Sequence, residues 1–138
     1  KYMQKILMVA EKNSFFVISM SEQLKAVGYD VVSMELEINQ LSKCKEEYEA
    51  VVLYIEGDMK DKTKDLIFLR DMVIEADIPL FYMGNNSEEL KEVIQSHVIK
   101  EVFKRPIDVK FVAAKIDDFI KNYGRQQSSY ENNRKSVS

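Results

Sequence analysis

The sequence predicts an α/β domain, one parallel sheet with helices on both faces. Three observations predict it. Strand-like and helix-like segments alternate five times along the chain. The run Ala50-Val51-Val52-Leu53-Tyr54-Ile55 is apolar without alternation and rich in β-branched residues, the mark of a strand buried on both faces. The helical segments carry apolar stripes at spacings of three and four residues. Strand–helix alternation of this kind gives parallel strands joined by right-handed crossovers.

Taken in order, Ile6 to Ala10 is a second continuous apolar run and a buried strand. Asn13 or Ser14 can cap the helix that follows. Val17, Met20, Leu24 and Val27 form its inward stripe, and Gly28 fits the position that ends it. Val31 to Met34 is a short strand. Ile38 to Lys45 is a short, weak helix with Ile38 and Leu41 inward. After the Ala50–Ile55 strand, Lys60 to Ala76 is a helix striped by Leu66, Leu69, Val73 and Ala76. Pro79, tolerated at a strand start, opens the strand Leu80 to Met83. Gly84-Asn85-Asn86 is a turn signal, and Ser87 caps the next helix. Lys100 to Phe103 is the last strand, broken by Arg105-Pro106. Asp108 caps a helix striped by Val109, Val112, Ile116, Phe119 and Tyr123.

Composition bounds the rest. Of 138 residues, 46% are apolar, enough for one core, and residues 1–123 read as one domain. Residues 124–138 are polar and read as a linker or frayed tail leading to a further domain. A net charge of −3 gives no electrostatic case for nucleic acid. No run approaches the roughly 18 apolar residues of a membrane span. The single cysteine, Cys44, forms no internal disulfide, so a reducing cytoplasm is the expected compartment. His97 has no second ligand at metal spacing, and the methionines fall mostly at core positions. The four glycines, at 28, 57, 84 and 124, leave no glycine-rich loop to cradle a nucleotide.

In an open parallel sheet, ligands gather beyond the carboxyl ends of the central strands. A site should therefore lie around Tyr54 to Asp58. The order of elements, Ile6 to Glu11, Tyr48 to Ile55, Ile78 to Met83 and Lys104-Arg105-Pro106 together resemble the receiver domain of two-component response regulators, over about residues 4 to 123. The resemblance implies a flavodoxin-like (βα)5 sandwich with strand order 2-1-3-4-5. It also implies a cis Arg105–Pro106 bond.

Receivers hold magnesium with two adjacent acids after the first strand, and a phospho-accepting aspartate ends the third. Here the acid pair falls on Ala10-Glu11 and the acceptor on Tyr54. The small hydroxyl residue after the fourth strand falls on Gly84, the switching aromatic on Val102, and the conserved lysine of the family on Arg105. Every working position is altered, so the resemblance is to a degenerate receiver. Chemistry agrees: magnesium is held by carboxylate oxygens, and acyl-phosphate formation needs a carboxylate nucleophile. A phenol with a pKa of ~10 is no substitute.

Tyr54 reads as a half-buried tyrosine filling the old acidic pocket, ahead of a phosphorylation site. Glu11, Glu56, Asp58 and Arg105 are candidate ligand or ion contacts, against the plainer reading of solvated loop charges. No cofactor, no metal and no catalytic residue is expected. The expected role is phosphorylation-independent protein–protein contact, with a protein partner or the chain's own downstream domain. The alternative is a small-molecule or ion sensor that uses the degenerate cleft. The candidate interface is the face of the fourth helix, fifth strand and fifth helix, through Lys91, Glu92, Gln95, Lys100, Glu101, Lys110 and Asp117, with a homodimer as one outcome.

Overall fold

The computed structural model describes residues 3–137, with side chains over 3–123. Its strands are β1 (Lys5–Ala10), β2 (Asp30–Glu35), β3 (Ala50–Ile55), β4 (Leu80–Gly84) and β5 (Ile99–Phe103). All pairs are parallel, in the order β2-β1-β3-β4-β5. The helices are α1 (Phe15–Ala26), α2 (Ile38–Leu41), α3 (Thr63–Ala76), α4 (Ser87–Val93) and α5 (Val109–Val137), with a 3₁₀ turn at Ser96–Val98. This is the flavodoxin-like fold expected from the sequence.

The period of two along a strand divides the interior into two cores. Ile6, Met8, Ala10, Val52, Tyr54 and Phe81 face α1 and α5, where Val17, Met20, Leu24, Val112 and Ile116 cover them. Leu7, Val9, Leu53, Ile55 and Tyr82 face the opposite way, toward Leu41 of α2, Leu66, Leu69 and Val73 of α3, and Leu90 of α4. Every residue of β3 is buried, which is why that stretch shows no alternation. The two central strands each present six or nearly six apolar residues to two helical layers. At about 25 cal/mol per Å² of buried apolar surface, they supply much of the driving force for folding.

Capping follows local chemistry. The Ser14 side chain accepts from Val17 N at 3.4 Å and starts α1. Gly28, at φ 108°, takes the left-handed turn that ends it. Asp108 Oδ1 accepts from Lys110 N at 3.1 Å and Phe111 N at 3.2 Å, opening α5. Arg105–Pro106 is cis.

Five expectations need correction. Val27 is the C-cap of α1 and exposed, because the turn at Gly28 swings it off the stripe. Ala76 is likewise exposed at the end of α3. That helix starts at Thr63, since Asp58 Oδ1 accepts from Lys60 N at 2.8 Å and holds Lys60–Lys62 in turns. Asn86, in the left-handed region at φ 58°, is the N-cap of α4, and Ser87 is its buried first residue. Helix α2 is a single turn ending at Leu41, because the following Ser42 to Glu49 has little apolar surface to anchor a longer helix.

The polar stretch after Tyr123, expected as a linker or frayed end, continues α5 as helix to Val137. It lacks proline and is supplied with Arg, Gln, Glu and Lys, all good helix formers, after the one breaker Gly124.

Candidate functional site

Strand register sets the site. Ala10 pairs with Tyr54, Tyr54 with Met83, Ile55 with Gly84, and Met83 with Phe103, so four strand ends finish side by side. Glu11 follows β1, Glu56 and Gly57 follow β3, Asn85 follows β4, and Arg105 lies two residues past β5.

The Glu11 carboxylate turns across the edge. Its Oε1 accepts from Glu56 N at 2.6 Å and Gly57 N at 2.9 Å. Charge-assisted bonds of this kind are about twice as strong as neutral ones. The carboxylate thus fastens the loop after β3, and a Cβ on Gly57 would stand 3.4 Å from its Oε2.

Tyr54 is buried at the end of β3, on the α1 side. Phe16 stacks on its ring with centroids 4.3 Å apart and an interplanar angle of 29°. Arg105 reaches its hydroxyl: the Arg105 Nη2 donates to Tyr54 Oη at 2.6 Å. Burial raises the Tyr54 hydroxyl above its ordinary value; Arg105 opposes that shift, and Glu56 and Glu11 add to it. The phenol therefore stays neutral and accepts from a permanent cation. Arg105 also stands 3.8 Å from Glu56 Oε1, a long pair between half-exposed groups that contributes little.

Gly84 closes the edge on the β4 side. It sits at φ 141°, and a Cβ there would meet the Ile55 carbonyl at 2.6 Å and the Tyr82 hydroxyl at 2.9 Å. Tyr82 Oη donates to the Asn85 carbonyl at 2.5 Å. Burial first, then the nearby Glu11 charge, push that hydroxyl well above its usual range.

The structure thus brings together Ala10, Glu11, Tyr54, Gly84 and Arg105. Asp58 lies further along the loop after β3, where its Oδ1 accepts from Lys60 N. Val102 is half-buried against the α3–α4 core. Among the described residues, no three His, Cys, Asp or Glu side chains cluster as a metal site. Sequence reading missed Phe16 and Tyr82. Two aromatics within two residues of predicted strand ends or caps were the signal for both, but helical and strand periodicity assign them to core packing.

The candidate interface is dispersed. Lys91 pairs with Glu88 at 3.6 Å. Lys100 is exposed at the register shift where β5 bulges against Leu80 and Phe81. Glu92, Gln95 and Lys110 are exposed, and Glu101 is half-buried. Asp117 departs from the expected face: it accepts from the Tyr29 hydroxyl at 2.7 Å and from Lys121 at 2.9 Å, toward α1.

Comparison with solved structures places the fold among receivers. A CheY-like response regulator receiver domain protein from Methanospirillum hungatei JF-1 superposes with a TM-score of 0.70 at 16% identity, covering 91% of this chain and 99% of that one. A structure described as adenylate cyclase from Rhodopirellula baltica gives 0.69 at 16% identity, over 94% of this chain and 96% of that one. NtrX from Brucella abortus gives 0.69 at 12% identity, over 94% of this chain but 29% of that one. At these identities the likeness is one of fold. No family model matches the sequence, and no curated protein sequence matches it. Among the described residues, no helix is long and apolar enough to cross a membrane.

Proposed function

We propose that this chain is a degenerate receiver-like signalling domain of a two-component-type regulatory protein. It acts by protein–protein contact and without aspartyl phosphorylation. One observation carries the reading: at the position where receivers place the phospho-acceptor, Arg105 is bound to the neutral hydroxyl of Tyr54 at 2.6 Å. Where a receiver's basic residue meets a phosphorylated aspartate, this cation meets a side chain that needs no phosphate. The Glu11 carboxylate supports the same reading, because it already serves the loop after β3. Residues 1–123 are the signalling domain, and the helical stretch that follows leads to an output domain. The partner is that domain, another protein or a second copy across α4, β5 and α5.

The test is thermal melting with magnesium and beryllofluoride. The native chain should show no shift. The variant Tyr54→Asp with Ala10→Asp, which rebuilds the acceptor and the acid pair, should gain several degrees. After incubation with acetyl phosphate, mass spectrometry finding an acyl phosphate on Glu56 or Asp58 would refute the proposal. For the interface, sedimentation should show a dimer weakened by Lys91→Glu with Lys110→Glu; a monomer at high concentration removes the homodimer.

A further inference from the structure

We propose that the amino edge of the sheet holds a separate binding site, a pocket for a small apolar molecule carrying one positive charge. It lies at the opposite end of the strands from Tyr54, and it does not depend on how the carboxyl edge is read. Val51 in its lining and Tyr54 lie three residues apart on β3, about 10 Å at ~3.3 Å per residue, and they face opposite sides of the sheet.

The pocket arises from a shortage of helix. Helices α1 and α3 have 12 and 14 residues, but α2 has 4. The segment 42–49 that replaces further turns of α2 reads Ser-Lys-Cys-Lys-Glu-Glu-Tyr-Glu, with only Cys44 and Tyr48 able to cover apolar surface. A cavity of about 520 Å³ remains between this segment and the end of α3. That volume falls inside the roughly 300–1,000 Å³ of small-ligand sites.

The lining has a clear polarity. Leu7, Val51, Met72, Val73 and Ile78 form an apolar floor. Glu46, Glu47 and Glu75 stand around it, and no lysine or arginine lines it. Lys5 Nζ neutralises Glu46 at 3.1 Å from its Oε1. Among the described residues, Glu47 and Glu75 make no ion pair. Tyr48 is 8% exposed, and its hydroxyl donates to Glu46 Oε2 at 3.2 Å, adding an oriented polar atom to the wall. An apolar floor rimmed by two exposed carboxylates that make no ion pair among the described residues favours a hydrophobic cation over a neutral or anionic molecule of the same shape.

The experiment is an ¹⁵N-resolved NMR titration of the full chain with benzamidine. Benzoate and benzyl alcohol serve as anionic and neutral matches in shape. Benzamidine should saturate, with shifts concentrated at 44–48 and 72–78, and benzoate should not bind. Glu47→Gln and Glu75→Gln should each weaken benzamidine by roughly threefold to fivefold. Ala76→Trp, at an exposed position beside the mouth, should block it. Both glutamine variants lie on the surface and keep the test decisive if Ala76→Trp unfolds. Benzoate binding as well as benzamidine, no saturation by about 10 mM, or shifts centred on Glu11, Tyr54 and Arg105 would each overturn the proposal. The last outcome would instead favour a ligand in the carboxyl-edge cleft.

Discussion

The two ends of the sheet are built on opposite terms. At the carboxyl edge, polar groups are spent on one another: Glu11 on the backbone of Glu56 and Gly57, Arg105 on Tyr54, Tyr82 on Asn85. Aromatic rings fill the space between them, and a backbone carbonyl stands against Gly84. At the amino edge, a one-turn α2 leaves a cavity over an apolar floor, and two carboxylates of its rim make no ion pair among the described residues. The end that open parallel sheets usually give to ligands is thus the one whose central side chains are paired with one another, with smaller hollows beside Gly84 and Ala10. The end that usually carries only connections holds a cavity of about 520 Å³. Position in the fold therefore says where a site can be, and the side chains decide whether space and unsatisfied chemistry remain there.

That contrast can be broken by variants, and the largest effect should come at Gly84. Gly84→Thr, which inserts the hydroxyl residue that receivers place there, should destabilise the chain by about 2–4 kcal/mol in urea unfolding, through positive φ and a blocked Cβ. A cost under about 1 kcal/mol would mean the edge has room. Next is Glu11→Ala, which leaves two backbone N–H groups without their acceptor. It should cost about 1–2 kcal/mol and speed amide exchange at Glu56 and Gly57. Tyr54→Phe keeps the stack on Phe16 but removes the acceptor of Arg105, for about 1 kcal/mol. In that variant, an Arg105 side chain that gains no mobility by NMR relaxation would argue against the wired edge.

The smallest effect depends on pH and lies away from both ends. Burial raises the Asp117 carboxyl, but the Tyr29 hydroxyl and then Lys121 outweigh it, so the group is held below its ordinary 3.8. A lowered folded-state value stabilises above the unfolded pKa, and that gain is lost as pH falls through the folded value. Tyr29→Phe should therefore cost about 0.5–1 kcal/mol at neutral pH. The difference from the native chain should begin to narrow as pH falls below about 4 and close once pH has passed the lowered folded-state value. A gap that stays constant from neutral pH down through the whole acid range would assign the loss to packing.

Much of this was legible in the sequence. Unalternating apolar runs located β1 and β3, and β3 has the expected bounds because both of its faces are buried. The four strand-end positions were also legible, since strand ends are fixed by where apolar runs stop. What those side chains do was not. Glu11 read as a lone acid, yet its partners are backbone groups 45 and 46 residues away, which no composition or spacing reveals. Asp58 read as a candidate ligand, and one of its oxygens accepts from the backbone of a residue two positions on, which spacing alone does not reveal. Ala76 and Val27 fit their helical stripes and still face solvent, because each stands at the end of its helix, where the chain turns away. The cavity was hidden for a related reason. A weak helix in the sequence signals short structure, but only packing shows which surface it fails to cover.

The bond between Arg105 and Tyr54 also has a consequence for how the domain meets changes in acidity. A guanidinium stays protonated throughout the range in which proteins work. The phenol, already raised by burial, stays neutral over the same range. The phenol therefore loses no proton between about pH 5 and pH 9, and its side of the contact does not titrate there. A lysine set against a carboxylate or a phosphate responds to acid, because the anion takes up a proton and the attraction fades. Here a drift in ambient acidity leaves the cross-brace between β3 and the end of β5 as it was.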